Sequence, residues 1–262
     1  MKHSPGATSS LPRSFVPMLG ALLLVVVVGG CASLETRATK LQAIKTIGII
    51  SAVGDDLTLT KAGLTGLEAR NQSFSIEPWG IDDLIVSRAS ALLSPHFQVQ
   101  PVTYRRADFA ALERDNPITL VNLMRDDPIK ELVRSQVSPQ GLDAYVVITK
   151  AKSTYGSGGR AIAGIGVVNG GTMFDSHAQA HALYMIRVID GHEFKIIDKK
   201  SASPVDNTEI VRLAGPSRMI DDSVLPKGND AAGNEQLKAT ITDLIERSLP
   251  TTLQDLHLVD RS

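Results

Sequence analysis

Thr46-Ile47-Gly48-Ile49-Ile50-Ser51-Ala52-Val53 is a nearly continuous apolar run. Such a run reads as a strand buried on both faces of a sheet. Gly54-Asp55-Asp56 then turns the chain, and Leu57-Thr58-Leu59-Thr60-Lys61 alternates as a second strand. Phe74-Ser75-Ile76 is placed to pair with it across the loop 63–72. Pro78-Trp79-Gly80 breaks this unit. Beyond it, Leu84, Ile85, Ala89, Leu92 and Leu93 recur at helical spacing, with Asp82 or Asp83 as cap and Pro95 as stop.

The alternation of strand and helix continues downstream. Phe97–Val102 suits a short strand near an edge, given Pro101. A short helix is expected around Ala107–Arg114. A firmer one starts at Asp127-Pro128, where proline at the first helical position sacrifices no hydrogen bond. Asp143–Thr149 is a strong strand. His181–Asp190 and Glu193–Lys199 read as a hairpin joined at Gly191-His192. Asn234 caps a last helix to about Leu249, ended by Pro250. The order implies an α/β (α+β) fold, a mixed β-sheet with helices packed against it.

The N-terminal segment reads differently. Lys2, His3 and Arg13 precede an apolar run of 11 residues, Met18–Val28, with no acidic residue among them. A spanning helix needs roughly 20 residues, so the run fits the core of a secretion signal. Val28-Gly29-Gly30-Cys31 resembles the bacterial lipobox. That resemblance implies cleavage between Gly30 and Cys31, diacylation of Cys31 and a membrane attachment through the N-terminal lipid. Ala32 in place of Asp implies transfer to the outer membrane, with the domain facing the periplasm. Cys31 is the sole cysteine, so no intrachain disulfide is available to it. The expected organisation is a signal at 1–30, a lipidated tether at 31–43, one α/β domain at 44–250 and a tail at 251–262.

Without residues 1–30 the chain carries 25 basic against 28 acidic residues. No basic excess remains to neutralise phosphates, which argues against nucleic acid as a partner. Aromatic content of 4% argues against stacking platforms for bases or sugars.

The strands Ile47–Ile50, Asp143–Ile148 and Tyr184–Gly191 together resemble periplasmic lipoproteins with an anticodon-binding-domain-like α/β fold. These include the curli secretion lipoprotein and the lipoprotein activators of penicillin-binding proteins. The segment Gly54–Trp79 departs from that pattern. Trp79-Gly80-Ile81-Asp82 is similar to a helix start that recurs in a set of proteobacterial lipoproteins. The resemblance extends to fold and location and brings no catalytic motif with it.

The candidate sites weigh against enzymatic chemistry. Residues 156–171 hold 7 of the 21 glycines. A strand precedes them but no helix follows, so a phosphate-cradling loop is disfavoured. A projecting loop or hairpin over 156–176 is expected instead. Arg160, Ile162, Ile165, Val167 and Val168 are its candidate contacts for another envelope protein or a second copy. His177 and His181 have the i, i+4 spacing of a helical metal site, but on a strand four residues span roughly 13 Å. No metal or cofactor is expected. Ser157 lacks a nucleophile elbow. Trp79 is expected to staple the helix start to the core. The leading expectation is a non-enzymatic binding or assembly module in envelope biogenesis or secretion. The rivals are a ring-forming secretion component and an envelope hydrolase assembled from Asp55, Asp56, His177 and His181.

Overall fold

The structure, a computed structural model, describes residues 37, 39–62, 69–114, 128–137, 140–155, 160–172, 175–205, 213, 215–226 and 231–260. Gly30, Cys31 and Ser157 lie outside the described residues. The chain divides into a unit of residues 1–43 and a second from Ile44 to Ser262. In the first, residues 39–43 are helical; all that follows concerns the second. Among the described residues no helix is long and apolar enough to cross a membrane.

The opening run forms β1, Thr46–Ala52, and all but its first residue are buried. It runs parallel to β4 (Gln98–Gln100) on one side and to β5 (Ala144–Lys150) on the other. Burial on both faces explains the lack of alternation in β1 and β5. The Asp143 carboxylate accepts from the Lys45 and Thr46 N–H groups at 2.9 and 2.8 Å and fixes where β1 starts. Those two donations, the one from Thr46 ahead of that from Lys45, hold this carboxyl below its ordinary value.

The spine of the sheet is β8, Asp175–Asp190, whose 16 residues are enough to serve two neighbours on each edge. One edge pairs β5 with residues 184–190 and β7 (Arg160–Thr172) with residues 175–183. The other pairs β9 (Ile196–Ser201) with residues 185–189 and β10 (Ser217–Ile220) with residues 178–181. β2 (Asp56–Ala62) joins β7 in parallel, and β3 (Ala69–Ser75) joins β2 antiparallel. β6 (Lys152–Tyr155) pairs with the start of β7. The ten strands form one mixed sheet, in the order β3-β2-β7-β8-β5-β1-β4 along its main path.

Both faces of the β1–β5 half are covered. On one, α2 (Arg106–Arg114) and α3 (Ile129–Val137) bring Phe109, Ile129, Val133 and Val137 onto Ile50, Ala52, Tyr145, Val147 and Ile189. On the other lie α1 (Ile81–Leu93) and α4 (Glu235–Asp255). Arg88 of α1 donates to Glu246 of α4 at 2.8 Å. The Tyr184 hydroxyl is 2.7 Å from Ser248 Oγ, tying α4 to β8, and burial pushes the phenol up to about 12. The mixed α/β architecture is the one expected.

Three local expectations need correction. Within the glycine-rich segment, residues 160–172 are not a projecting loop but the strand β7, paired with β8, and Ile162, Ile165, Val167 and Val168 are buried. Arg160 begins that strand. These four aliphatic side chains therefore serve the core and present no contact surface. The last helix runs through Pro250 to Asp255, because Thr252, Leu253 and Leu256 are buried beyond it and outweigh one lost hydrogen bond. The tail at 251–262 is thus part of the domain for its first half. Finally, α1 has no side-chain cap: Gly80, at φ 62°, stands at its N-cap, which leaves Asp82 for another task.

Candidate functional site

β1 ends at Ala52, and Gly54 takes φ +113°, a value glycine adopts without strain. This kink sends the chain from the β1–β5 half of the sheet into the β2–β7 half. Asp82, one residue into α1 and fully buried, clamps it. Ser51 Oγ donates to Asp82 Oδ1 at 2.6 Å, the Val53 N–H to the same oxygen at 2.8 Å and the Gly54 N–H to Oδ2 at 3.3 Å. Arg106, the first residue of α2, brings Nε to 3.5 Å from Asp82 Oδ2 and donates through Nη2 to Asp83 Oδ1 at 2.7 Å. One guanidinium thus faces two adjacent carboxylates. Asp55 stands at the rim, its carboxyl pushed up by burial first and by the Asp82 charge next.

A cleft opens beside this cluster, and its cause is Pro101. The β1–β4 register stops at Gly48–Gln100, and a proline cannot extend the ladder. The chain then turns so that Val102 occupies the space a Cβ on residue 48 would need. The edge of β1 beyond residue 48 is left without a strand. Tyr104 substitutes for one: its hydroxyl accepts from the Ser51 N–H and donates to the Ser51 carbonyl, each at 3.0 Å. Tyr104→Phe leaves both main-chain groups unpaired and is expected to cost about 1–2 kcal/mol, measurable by urea unfolding.

The cleft has a volume of about 850 Å³. One wall is the outer face of α1, with Asp83, Val86, Ser87, Ser90 and Ser94; the other is the run Val99–Tyr104. Ile49 lies between them and Arg106 at one end. The opposite face of α1, with Ile81, Ile85, Ala89 and Leu93, is in the core. Two interleaved helical periods therefore run along α1, one apolar and one of short hydroxyl side chains.

The structure does not gather Asp55, Asp56 and His181, which all lie outside the lining of this cleft. The side chain of His177 lies outside the described residues. Asp55 and Asp56 flank the start of β2. The backbone of His177 pairs with Gly170. His181 is enclosed in the sheet, with Nδ1 3.0 Å from the Gly164 carbonyl. Among the described residues no group of three or more His, Cys, Asp or Glu could hold a metal ion. Trp79 is buried, and its indole N–H donates to the Ala232 carbonyl at 2.8 Å, which pins the entry to α1 against the approach to α4.

Tyr104, Arg106 and the clamp role of Asp82 emerge only in three dimensions. The serine stripe at 87, 90 and 94 was readable as the complement of the apolar stripe. Arg106, by contrast, precedes the helix periodicity and carries no local signal.

No family model and no curated protein matches the chain. Among the solved structures that align with this chain, two have low similarity to it. Lipoprotein GNA1162 from Neisseria meningitidis is 14% identical, with 77% of this chain and 97% of that one covered, at a TM-score of 0.25. The hypothetical protein CT253 from Chlamydia trachomatis is 10% identical, with 82% and 91% covered, at a TM-score of 0.30. At these scores neither likeness bears on fold or function.

Proposed function

We propose that this chain is a lipid-anchored protein of the bacterial envelope that binds a partner through the α1–β4 cleft, as a binding or assembly module and not as an enzyme. In this reading Cys31 carries the lipid, and the domain faces the periplasm from the outer membrane. The observation that carries the binding role is the state of the cleft's polar groups. Arg106 is committed to Asp82 and Asp83, and the Tyr104 hydroxyl to both main-chain groups of Ser51. Groups held this way suit recognition of shape and hydrogen-bonding pattern. The remaining lining, short hydroxyls against Val86, Val99 and Val102, suits a neutral, partly apolar surface.

Filling the cleft tests this. Ser90→Trp adds bulk to its wall on a helix face turned away from the core. Partners recovered from crosslinked envelopes with the wild type are expected to be lost with Ser90→Trp, while the melting temperature stays within a few degrees. Unchanged recovery would sink the assignment of the cleft. The anchor has its own test. Cys31→Ser is expected to abolish lipid labelling and release the folded domain from the membrane fraction; full retention in that fraction would overturn it.

A further inference from the structure

β4 and β3 lie on the same outer side of the sheet, β4 beside β1 and β3 beside β2, and they are finished in different ways. β4 has only three residues and stops at Pro101, which blunts its edge against further pairing. β3 has seven residues, Ala69-Arg70-Asn71-Gln72-Ser73-Phe74-Ser75, with no proline and no lysine. Among the described residues its partner is β2 alone.

The main chain of β3 can be assigned residue by residue. The Ile76 N–H donates to the Asp55 carbonyl at 2.6 Å, and the register pairs Asp56 with Ser75. Bonded pairs in an antiparallel ladder alternate, so Phe74, Gln72 and Arg70 direct their N–H and C=O groups to β2. Asn71, Ser73 and Ser75 direct theirs to the open edge. All three residues are exposed, and their side chains are uncharged.

This edge is complementary to itself. Two copies related by a two-fold axis at Gln72 would align antiparallel, with Asn71 of each bonded to Ser73 of the other and Ala69 to Ser75. That makes about eight main-chain hydrogen bonds, two per bonded pair. Amide would face hydroxyl at 71 and 73. Position 70 would lie across from Phe74, so no like charges would be opposed. The pairing would consume the open edge of both copies, so the assembly would close at two.

We infer that the partner of β3 is a second copy of this chain, joined edge to edge through Asn71 and Ser73 into one sheet that runs across both protomers. The surface is smaller than a standard protein interface, so confinement on a membrane, which raises effective concentration, favours it. The inference is independent of the cleft, which borders β4 beside the β1–β5 half, whereas β3 belongs to the β2–β7 half.

The test uses the full chain in native membranes. Gln72→Cys places two thiols across the two-fold axis, at a non-hydrogen-bonded pair whose Cα atoms are about 4.5 Å apart, within disulfide reach. Mild oxidation with copper phenanthroline is expected to give a disulfide-linked dimer. The wild type and Ala239→Cys, on the exposed side of α4, are expected to give none. Adding Ser73→Pro or Ser73→Lys to Gln72→Cys is expected to lower the dimer yield by at least about tenfold, because position 73 makes no bond to β2. The single variants Ser73→Pro and Ser73→Lys are expected to keep the thermal unfolding transition. Adding Ser90→Trp is expected to leave the dimer intact, which separates this inference from the cleft reading. A Gln72→Cys yield no higher than that of Ala239→Cys, a dimer that survives both changes at position 73, or an adduct of another mass in its place would each overturn the inference.

Discussion

Asp82→Ala is expected to destabilise the domain by about 3–5 kcal/mol, the range for removing one member of a buried charged network. Three donors lose their acceptor at once: the Ser51 hydroxyl and the N–H groups of Val53 and Gly54. An orphaned buried donor costs about 1–3 kcal/mol. Arg106 retains Asp83, so its charge is not stranded. The site lies at the kink between the two halves of the sheet, so the loss reaches beyond α1. Asp82→Asn keeps the volume and one carbonyl-type acceptor, and about half the loss is expected. Urea denaturation at neutral pH measures both. An alanine variant within about 1 kcal/mol of the wild type would show that the clamp does not hold the kink.

Acid is expected to remove about 3 kcal/mol of stability between pH 6.5 and 4, through His181. Burial lowers this imidazole from 6.5 to about 4. The Gly164 carbonyl can only accept, so Nδ1 carries the proton, and Nε2 has no partner among the described residues. The ring lies against Gly166, where a Cβ would meet it at 2.8 Å. The unfolded chain therefore takes up a proton at a higher pH than the folded one. Stability is level above pH 6.5, falls as the pH drops towards 4, and loses nothing further through this group below that. Asp143, held low by its donors, takes over below the ordinary carboxylate range. His181→Phe fills the same slot without a titrating group and is expected to flatten the pH 6.5–4 segment. Equal slopes for wild type and variant would refute the assignment.

The parts of this fold that sequence discloses are those set by a single neighbour relation. β1 and β5 read as buried strands because both faces are covered. The spacing of Ile85, Ala89 and Leu93 reads as α1 because one face is covered. The misreadings have physical causes. The glycines of β7 suggested a projecting loop, yet Gly164 lies under the Lys150 stem and Gly166 under the His181 ring. They make room for large neighbours, and nothing local distinguishes that need from flexibility. Pro250 suggested an end, but burial of Leu253 and Leu256 carries the helix on.

The candidate site was less legible still. Asp82 reads as a helix cap on local grounds, and its true donors lie about thirty residues upstream. The cleft depends on where β4 leaves β1, a consequence of Pro101 that becomes visible only once the register is known.

The binding role of the cleft is tested most directly by a photo-activated crosslinker placed at residue 90 in living cells, with residue 239 on the exposed side of α4 as the reference position. Position 90 is expected to give a discrete adduct that position 239 does not give. No adduct at position 90, or the same adduct in equal yield from both positions, would contradict the account.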